Sequence, residues 1–489
     1  MENVFKQDAS IAEAVQRGEL VRALLNGTPG MVAGGRKFLP PYEAETHTSY
    51  DSRLRLGVLF NGYKRTRDFI VGLIFSSELL VQNADQYPEV FLEVQDNTDL
   101  KGNNLRTWGQ EVFELGMDSG IVAIMVDYPK LDLRNTEAGL QFFNEKTQAW
   151  ENKTAEADKA MGLRPRLVAF DQRSILGYRY DEQGIYLDQI RFLESVVEPG
   201  EIDADDKVVE QVRVLERGKW EVWRKGEKDK PHLHASGTMS VKEIPVALFT
   251  PGAQINKGFA PALEDLAQLN RSHWQATCDQ KSLMSYVRRP PWFGKLLVSN
   301  DSDELKFGPG YMCHSSDPQA DLRSVGVDQG SPEAGRKDLG DIEAQMASYG
   351  LQLLVPNMAG RVSKTATQAA QEGQESVSQI KDWAQAFEDT LNNCMRFVNM
   401  WIGGEDGTEP VVSVNKDFQP GMGLDPATLV SLYKEGILPK QLVFSELQRR
   451  NMISDSWEWE EVLALMARDV AAPTRMPDIG GLAIGDFPG

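Results

Sequence analysis

Cysteine is scarce in this chain of 489 residues: Cys278, Cys313 and Cys394 are the only three, an odd number with no CxxC spacing. Neither a disulfide framework nor a thiolate zinc site is suggested, and a reducing cytoplasm is the expected compartment of assembly. The five histidines, His47, His232, His234, His273 and His314, have no carboxylate or cysteine neighbours at ligand spacing, so no metal is expected. Long apolar runs are missing too. The longest near the start, Phe69 to Phe75, is interrupted by Gly72 and falls far short of the roughly 20 residues that span a bilayer. The opening MENVFKQDAS lacks the basic, apolar and small-residue order of a signal peptide. Positive charge is in short supply, with 52 basic against 72 acidic residues, a net of −20 and a pI near 4.9. That balance argues against gripping nucleic acid through bulk electrostatics, though it does not exclude a protein that lets DNA slide past.

Catalytic motifs are equally absent. There is no GxSxG, no HExxH and no catalytic cysteine and histidine set, so no enzyme activity and no cofactor are expected. Gly57 to Gly62 has the glycine spacing of a phosphate-binding loop, but no Ser or Thr follows Lys64 and the setting is helical. Glu201, Asp203, Asp205 and Asp206 lack the glycine and terminal glutamate of a calcium loop.

What is present is ordinary globular material, 41% hydrophobic and 25% charged in 54.6 kDa, enough for several packed units in an α+β chain. Apolar spacing predicts a helix over 9–26, a second over 50–76 broken at a glycine, and a third over 103–116. Gly120 to Val126 is a continuous apolar run that reads as a buried strand. The polar stretch 131–159 reads as a solvated helix or an insertion. From Arg166 to Leu248 the period changes to two, with glycine turns at 181–184 and 216–219 that predict antiparallel hairpins.

Helix returns over 261–287, where Leu266, Asn270, Trp274, Thr277 and Lys281 share a line that is only partly apolar. Such a face suggests contact with like helices of neighbouring subunits or with a wet space. Leu266, Trp274 and, on the next helix (331–350), Met346 are the candidate subunit contacts. Arg288 and Arg289 end the first of these helices, where they either touch phosphate or complement the helix C-terminus. Trp292 and Phe293 begin a short strand and either pack the excursion's own strands, the preferred reading, or anchor a partner. The strongest pattern lies between Lys364 and Ile402, where apolar residues step by three or four without a miss, a helix roughly 55 Å long. Between the helices, the segment carrying Val355, Pro356, Asn357, Met358, Gly360 and Arg361 has the Pro and Gly of a mobile element. Arg361 and Lys364 supply the positive charge close to it. A strand over 411–414 and three short capped helices close the chain.

The order of these elements resembles the portal proteins of tailed bacteriophages, in particular a portal family long catalogued only as a domain of unknown function. The motifs that carry the resemblance are Leu59-Phe-Asn-Gly-Tyr-Lys-Arg-Thr66, Gly120 to Pro129, Leu163-Arg-Pro165, Pro261 to Asn270, Gly308-Pro-Gly310, Glu343-Ala-Gln-Met346 and Lys364 to Ala370. The resemblance implies a portal-type fold: an α/β wing over 1–255, a stem helix over 256–289, a small β-containing clip over 290–330, a second stem helix over 331–351, a tunnel loop over 352–363, a long helix over 364–403 and a helical crown with a tail over 404–489. It implies a ring, usually of twelve copies, at one capsid vertex of the virion. Double-stranded DNA would pass through it, and terminase, the major capsid protein and head completion or tail adaptor proteins would be partners, with no membrane involved. On that basis Arg288, Arg289, Trp292 and Phe293 would face terminase, and Val355 to Lys364 would line the channel, where Arg361 and Lys364 would either meet the DNA phosphates or pair with Glu372 or Glu375 of the adjacent subunit. The competing readings are a head-associated DNA-processing enzyme and a monomeric structural adaptor.

Overall fold

The computed structural model describes residues 4–77, 79–81, 87–128, 133–136, 139–144, 149–152, 163–198, 207–226, 229–251, 258–290, 292–295, 318–324, 326, 330–349, 366–405 and 407–416, with isolated residues between 433 and 464; of 80, 366–378 and the strands between 133 and 152 it describes the backbone only. The chain forms two units, Met1–Phe418 and Gln419–Gly489. In the second, helical residues occur at 433–434, 440–441, 443–444 and 462–464, inside the three helices that the sequence predicts, and Phe444 packs on Trp459 with ring centroids 5.4 Å apart.

The first unit is an α+β structure whose front is helical. Helix α1 (Ala9–Leu25) buries Ile11, Leu20, Val21 and Leu24, and Gly27, at a positive φ of 70°, turns the chain directly into α2 (Gly27–Gly34). Pro29 sits in the first turn of α2, where a missing N–H costs no hydrogen bond. The expected break in the second helix is real: α3 (His47–Leu56) stops at Gly57, and α4 (Gly62–Ile74) starts after Asn61, whose side chain accepts from the Lys64 N–H at 3.0 Å. A short α5 (Glu89–Asp96), which the sequence reading missed, precedes α6 (Leu105–Ser119). Asn104 caps α6 by accepting from the Thr107 N–H at 2.8 Å, and Gly120 ends it at a φ of 78°. Any side chain at Gly120 would also overlap the backbone of Ala260, so two constraints select glycine there.

Strand β2 (Val122–Asp127) explains its uninterrupted apolar run. It is the central strand of a three-stranded sheet, between β12 (Val246–Phe249) and β6 (Arg166–Asp171), with Val122 opposite Phe249 and Asp171. Its alternate side chains go to different cores. Val122, Ile124 and Val126 face the helical core, while Ala123 and Met125 face a second core shared with Ile11, Phe170, Ile190 and Phe192. A strand covered on both faces has no polar position to alternate with.

The second core is closed by a five-stranded antiparallel sheet in the order β11–β10–β9–β8–β7, where β7 is Ile175–Tyr180, β8 Leu187–Glu198, β9 Lys207–Glu216, β10 Lys219–Lys225 and β11 Pro231–Thr238. Both predicted hairpins are present, with Gly184 at φ 71° and Gly218 at φ 70°. None of the described residues in the polar stretch after β2 is helical. It holds a three-stranded antiparallel sheet, β3 (Leu133–Thr136), β4 (Gly139–Asn144) and β5 (Ala149–Asn152). The strand formers Phe142, Phe143 and Trp150 outweigh the helix-compatible polar residues around them.

Beyond the β-rich part come α7 (Glu264–Arg288), a two-stranded pair β13 (Trp292–Lys295) and β14 (Asp321–Ser324), α8 (Gly330–Ser348) and α9 (Ala366–Ile402). Helix α9 is the spine of the helical core. Ile380, Ala384, Phe387, Leu391, Cys394 and Val398, all on the predicted stripe, are buried, and Phe387 meets Phe75, Phe113 and Phe249 at centroid distances of 5.0–6.1 Å, edge on in each case. Such aromatic pairs add about 0.5–1.5 kcal/mol each to their area term. A two-stranded pair of β1 (Leu80–Val81) with β15 (Val412–Ser413) completes the unit.

Candidate assembly surface on the helical hairpin

Helices α7 and α8 form an antiparallel hairpin: Gln280 reaches the Pro332 carbonyl at 2.8 Å at one end, and His273 Nε2 lies 3.1 Å from Glu343 Oε1 nearer the other. Its root is wrapped by α3, α4 and their connecting loop. Leu266, Trp274 and Met346, expected at contacts between subunits, are fully buried inside the single chain. The reason is that Trp274 and Cys278 pack against Gly57, while Met346 lies against Gly62. The partly apolar line of α7 is thereby covered from within.

Its polar members are also used. Asn270 is fully buried; its Oδ1 accepts from the Tyr63 N–H at 2.9 Å and its Nδ2 donates to the Phe60 carbonyl at 2.8 Å, so α7 holds both ends of the turn into α4. Thr28 Oγ1 accepts from the Leu59 N–H at 3.1 Å, and Asn61 Nδ2 donates to the Leu24 carbonyl at 2.6 Å. Loop 57–61 is therefore fixed on three sides. Arg53, buried in α3, donates to both oxygens of Glu45 at 2.8 and 2.7 Å, to Asp279 of α7 at 2.9 Å and to the Pro40 carbonyl at 3.0 Å, and lies over the Tyr42 ring at 4.3 Å. The Arg53 hydrogen bonds hold the Glu45 carboxyl below its ordinary range, and Glu45 in turn raises Arg53. Breaking a buried pair of this kind leaves an uncompensated charge.

A second polar cluster lies behind α4. The Tyr63 hydroxyl donates to Asp118 at 2.9 Å, and Arg67 lies 3.8 Å from Asp118 while also pairing with Asp68 and Glu114. Burial outweighs the attraction of Arg67 and pushes the Asp118 carboxyl up to about 6. Burial likewise lifts the Cys278 thiol to about 12 and raises that of Cys394, which leaves both protonated and unreactive at neutral pH.

Away from the root the hairpin changes character. No side chain of α7 beyond Cys278 is fully buried, and Met346 alone is buried in the whole of α8. At the tip Tyr286, Val287, Trp292 and Phe293 are exposed, the last two by 53% and 59%, and so are Arg288 and Arg289. All four residues of β13 are exposed, and the residues of the excursion against which Trp292 and Phe293 would pack in the preferred sequence reading, 296–317, lie outside the described ones. Arg288 lies in the last turn of α7, and the Arg289 N–H closes the helix on the Ser285 carbonyl at 3.0 Å. One flank of the hairpin carries a shallow groove lined by Asp265, Gln268, Leu269 and Ser272 of α7 and Gln345, Ser348 and Tyr349 of α8. The channel candidates Val355, Pro356, Asn357, Met358, Gly360, Arg361 and Lys364 lie outside the described residues, as do the side chains of Glu372 and Glu375.

Sequence reasoning expected the break at this loop but gave its residues no role. Val58 and Phe60 on it are 61% and 43% exposed, and Leu56 beside it at the end of α3 is 41% exposed. The signal available was Asn61 before Gly62, a helix cap that ends one element and starts the next. Among the described residues no group of three or more His, Cys, Asp or Glu side chains could hold a metal ion, and no helix is long and apolar enough to cross a membrane.

A family model described as "Domain of unknown function (DUF4055)" matches residues 262–402, from the start of the hairpin to the end of α9. No curated protein matches. Similar solved structures include a chain in the neck of an empty GTA particle computed with C6 symmetry, at 12% identity and a TM-score of 0.36, covering 89% of this chain and 99% of that one. A chain of the virion of a native gene transfer agent particle is 13% identical with a TM-score of 0.35, covering 90% of this chain and 98% of the other. A chain in the neck of the native particle computed with C12 symmetry is 11% identical with a TM-score of 0.36, again covering 90% and 98%.

Proposed function

We propose that this chain is the subunit of a portal-type ring at the head–tail vertex of a phage-like particle, a structural and non-catalytic component through which double-stranded DNA enters and leaves. The observation that carries the reading is the bare outer half of the α7–α8 hairpin. Two antiparallel helices with Met346 as the single buried residue of α8 cannot hold one another by burial, because isolated helix pairs gain too little from propensity alone. Neighbouring copies supply the missing cover, and a head-to-tail repeat of one interface closes as a ring. The motifs that resemble portal proteins follow in order from Leu59 to Ala370 and point the same way. The net charge of −20 suits a conduit, since an acidic subunit offers passing phosphates no deep electrostatic well. In this reading the exposed tip, with Arg288, Arg289, Trp292 and Phe293, receives terminase and later the head completion proteins. The major capsid protein surrounds the ring from outside.

The test is imaging of the purified protein by negative stain together with mass measurement in solution. Closed rings with a central hole, of about twelve copies, are the expected result. Particles of monomer mass at every concentration would remove the reading, and metal-dependent cleavage of DNA by the purified protein would replace it with an enzyme.

A further inference from the structure

We infer that neighbouring copies join by seating the loop between α3 and α4 in the groove on the flank of the next copy's α7–α8 hairpin. The inference rests on the ring reading above and assigns its contact surface. Three observations converge. The loop is an apolar knob, Leu56, Val58 and Phe60, on a backbone held by Asn270, Thr28 and Leu24. Because it is already fixed, docking it costs little ordering entropy. The groove offers a matching floor in Leu269 and in Tyr349, which is 51% exposed.

The charges around the two features are complementary. Arg55, Lys64 and Arg65 flank the knob, are exposed and make no ion pair among the described residues. On the groove side, Asp265 of α7 and Asp338 and Asp341 of α8 are exposed and equally without an ion pair among the described residues. Asp338 and Asp341 precede Gln345 by seven and four residues, which puts them on the same stripe of α8 as that groove residue. In a chain with a net charge of −20, three cations around one apolar knob fit an acidic surface, and this chain supplies one.

The third observation is placement. At about 100° per residue, the groove residues of α7 lie within about 60° of Asp265, whereas Asn270 and Trp274, which hold the loop, lie about 140° and 180° away round the helix. Knob and groove therefore sit on opposite flanks of one hairpin and cannot meet within a copy. They can meet between copies, and a contact between two different patches repeats head to tail, as a ring requires.

Paired cysteines test the contact. Val58→Cys combined with Gln345→Cys, in a Cys313→Ser background, is oxidised under mild conditions and run without reductant. The expected result is a ladder of covalent multimers up to the ring, reversed by reductant and absent from either single variant. Closed rings without a ladder would overturn this contact while leaving the portal reading in place. A monomer with an internal disulfide would show that the loop meets its own groove, and overturns it as well. Wild-type protein that never assembles would end both. In a second measurement, Val58→Asp should raise the concentration for half-assembly by at least about tenfold without changing the melting curve of the subunit. An unchanged assembly concentration would overturn the contact.

Discussion

Asp118 is largely covered at the end of α6, its side chain 13% exposed, with a hydroxyl and a shared cation for company, and replacing it with asparagine should change how stability depends on pH. The Tyr63 hydroxyl donates to its Oδ1 at 2.9 Å, and Arg67 lies 3.8 Å away. Arg67 is also drawn to Asp68 and Glu114, so its charge is divided among three carboxylates. Burial dominates, and the Asp118 carboxyl is pushed up from 3.8 to about 6. An acid raised in the folded state contributes stability that is fully present below its unfolded value and is lost as pH rises through the folded one. The window for Asp118 therefore runs from about pH 4 to just above pH 6, and the loss is on the order of 3 kcal/mol. Asparagine keeps an oxygen to accept from Tyr63 but cannot ionise. The free energy of Asp118→Asn relative to wild type should thus rise by on the order of 3 kcal/mol between pH 4 and pH 8. Denaturant unfolding of both proteins across that range measures it, and taking the difference cancels the other 71 acidic residues, 72 less Asp118. Parallel profiles would refute the argument, and so would a variant that loses ground as pH rises, which would mean that the attraction of Arg67 exceeds the burial cost.

Two further substitutions probe the fixed loop. Asn270→Leu leaves the buried Tyr63 N–H without an acceptor and should cost about 1–3 kcal/mol, read as an apparent melting temperature lower by a few degrees; an unchanged melt would mean that α4 does not depend on this cap. Gly57→Ala places a methyl where Cys278 Sγ lies and should cost about 1–3 kcal/mol by overpacking. Adding Cys278→Ala should recover part of that loss, and strictly additive effects of the two changes would contradict the contact.

The stripe of α9 was legible because every third or fourth side chain enters one core, from Ile380 to Val398, and burial on one side of a helix leaves that period in the sequence. The run in β2 was legible as a covered strand, but not as a wall between two cores, since a strand buried on both faces reads the same whatever lies on each side. Strand β11 escaped notice for the opposite reason: it is an edge strand, Pro-His-Leu-His-Ala-Ser-Gly-Thr, with no fully buried side chain, so no alternation was imposed on it. Around the hairpin, spacing identified Leu266, Trp274 and Met346 as covered, which they are, and named the wrong cover. A period records that a side chain leaves water; it holds no record of which chain takes it in. Asn270 shows why that matters. Its polarity on the apolar line suggested a wet or shared face, yet its partner is the backbone N–H of Tyr63, 207 residues earlier in the same chain. Only the fold brings that donor close. Once the donor is there, the amide becomes the residue that fixes the loop, and Val58 on that loop is left exposed beside Arg55, Lys64 and Arg65, which make no ion pair among the described residues.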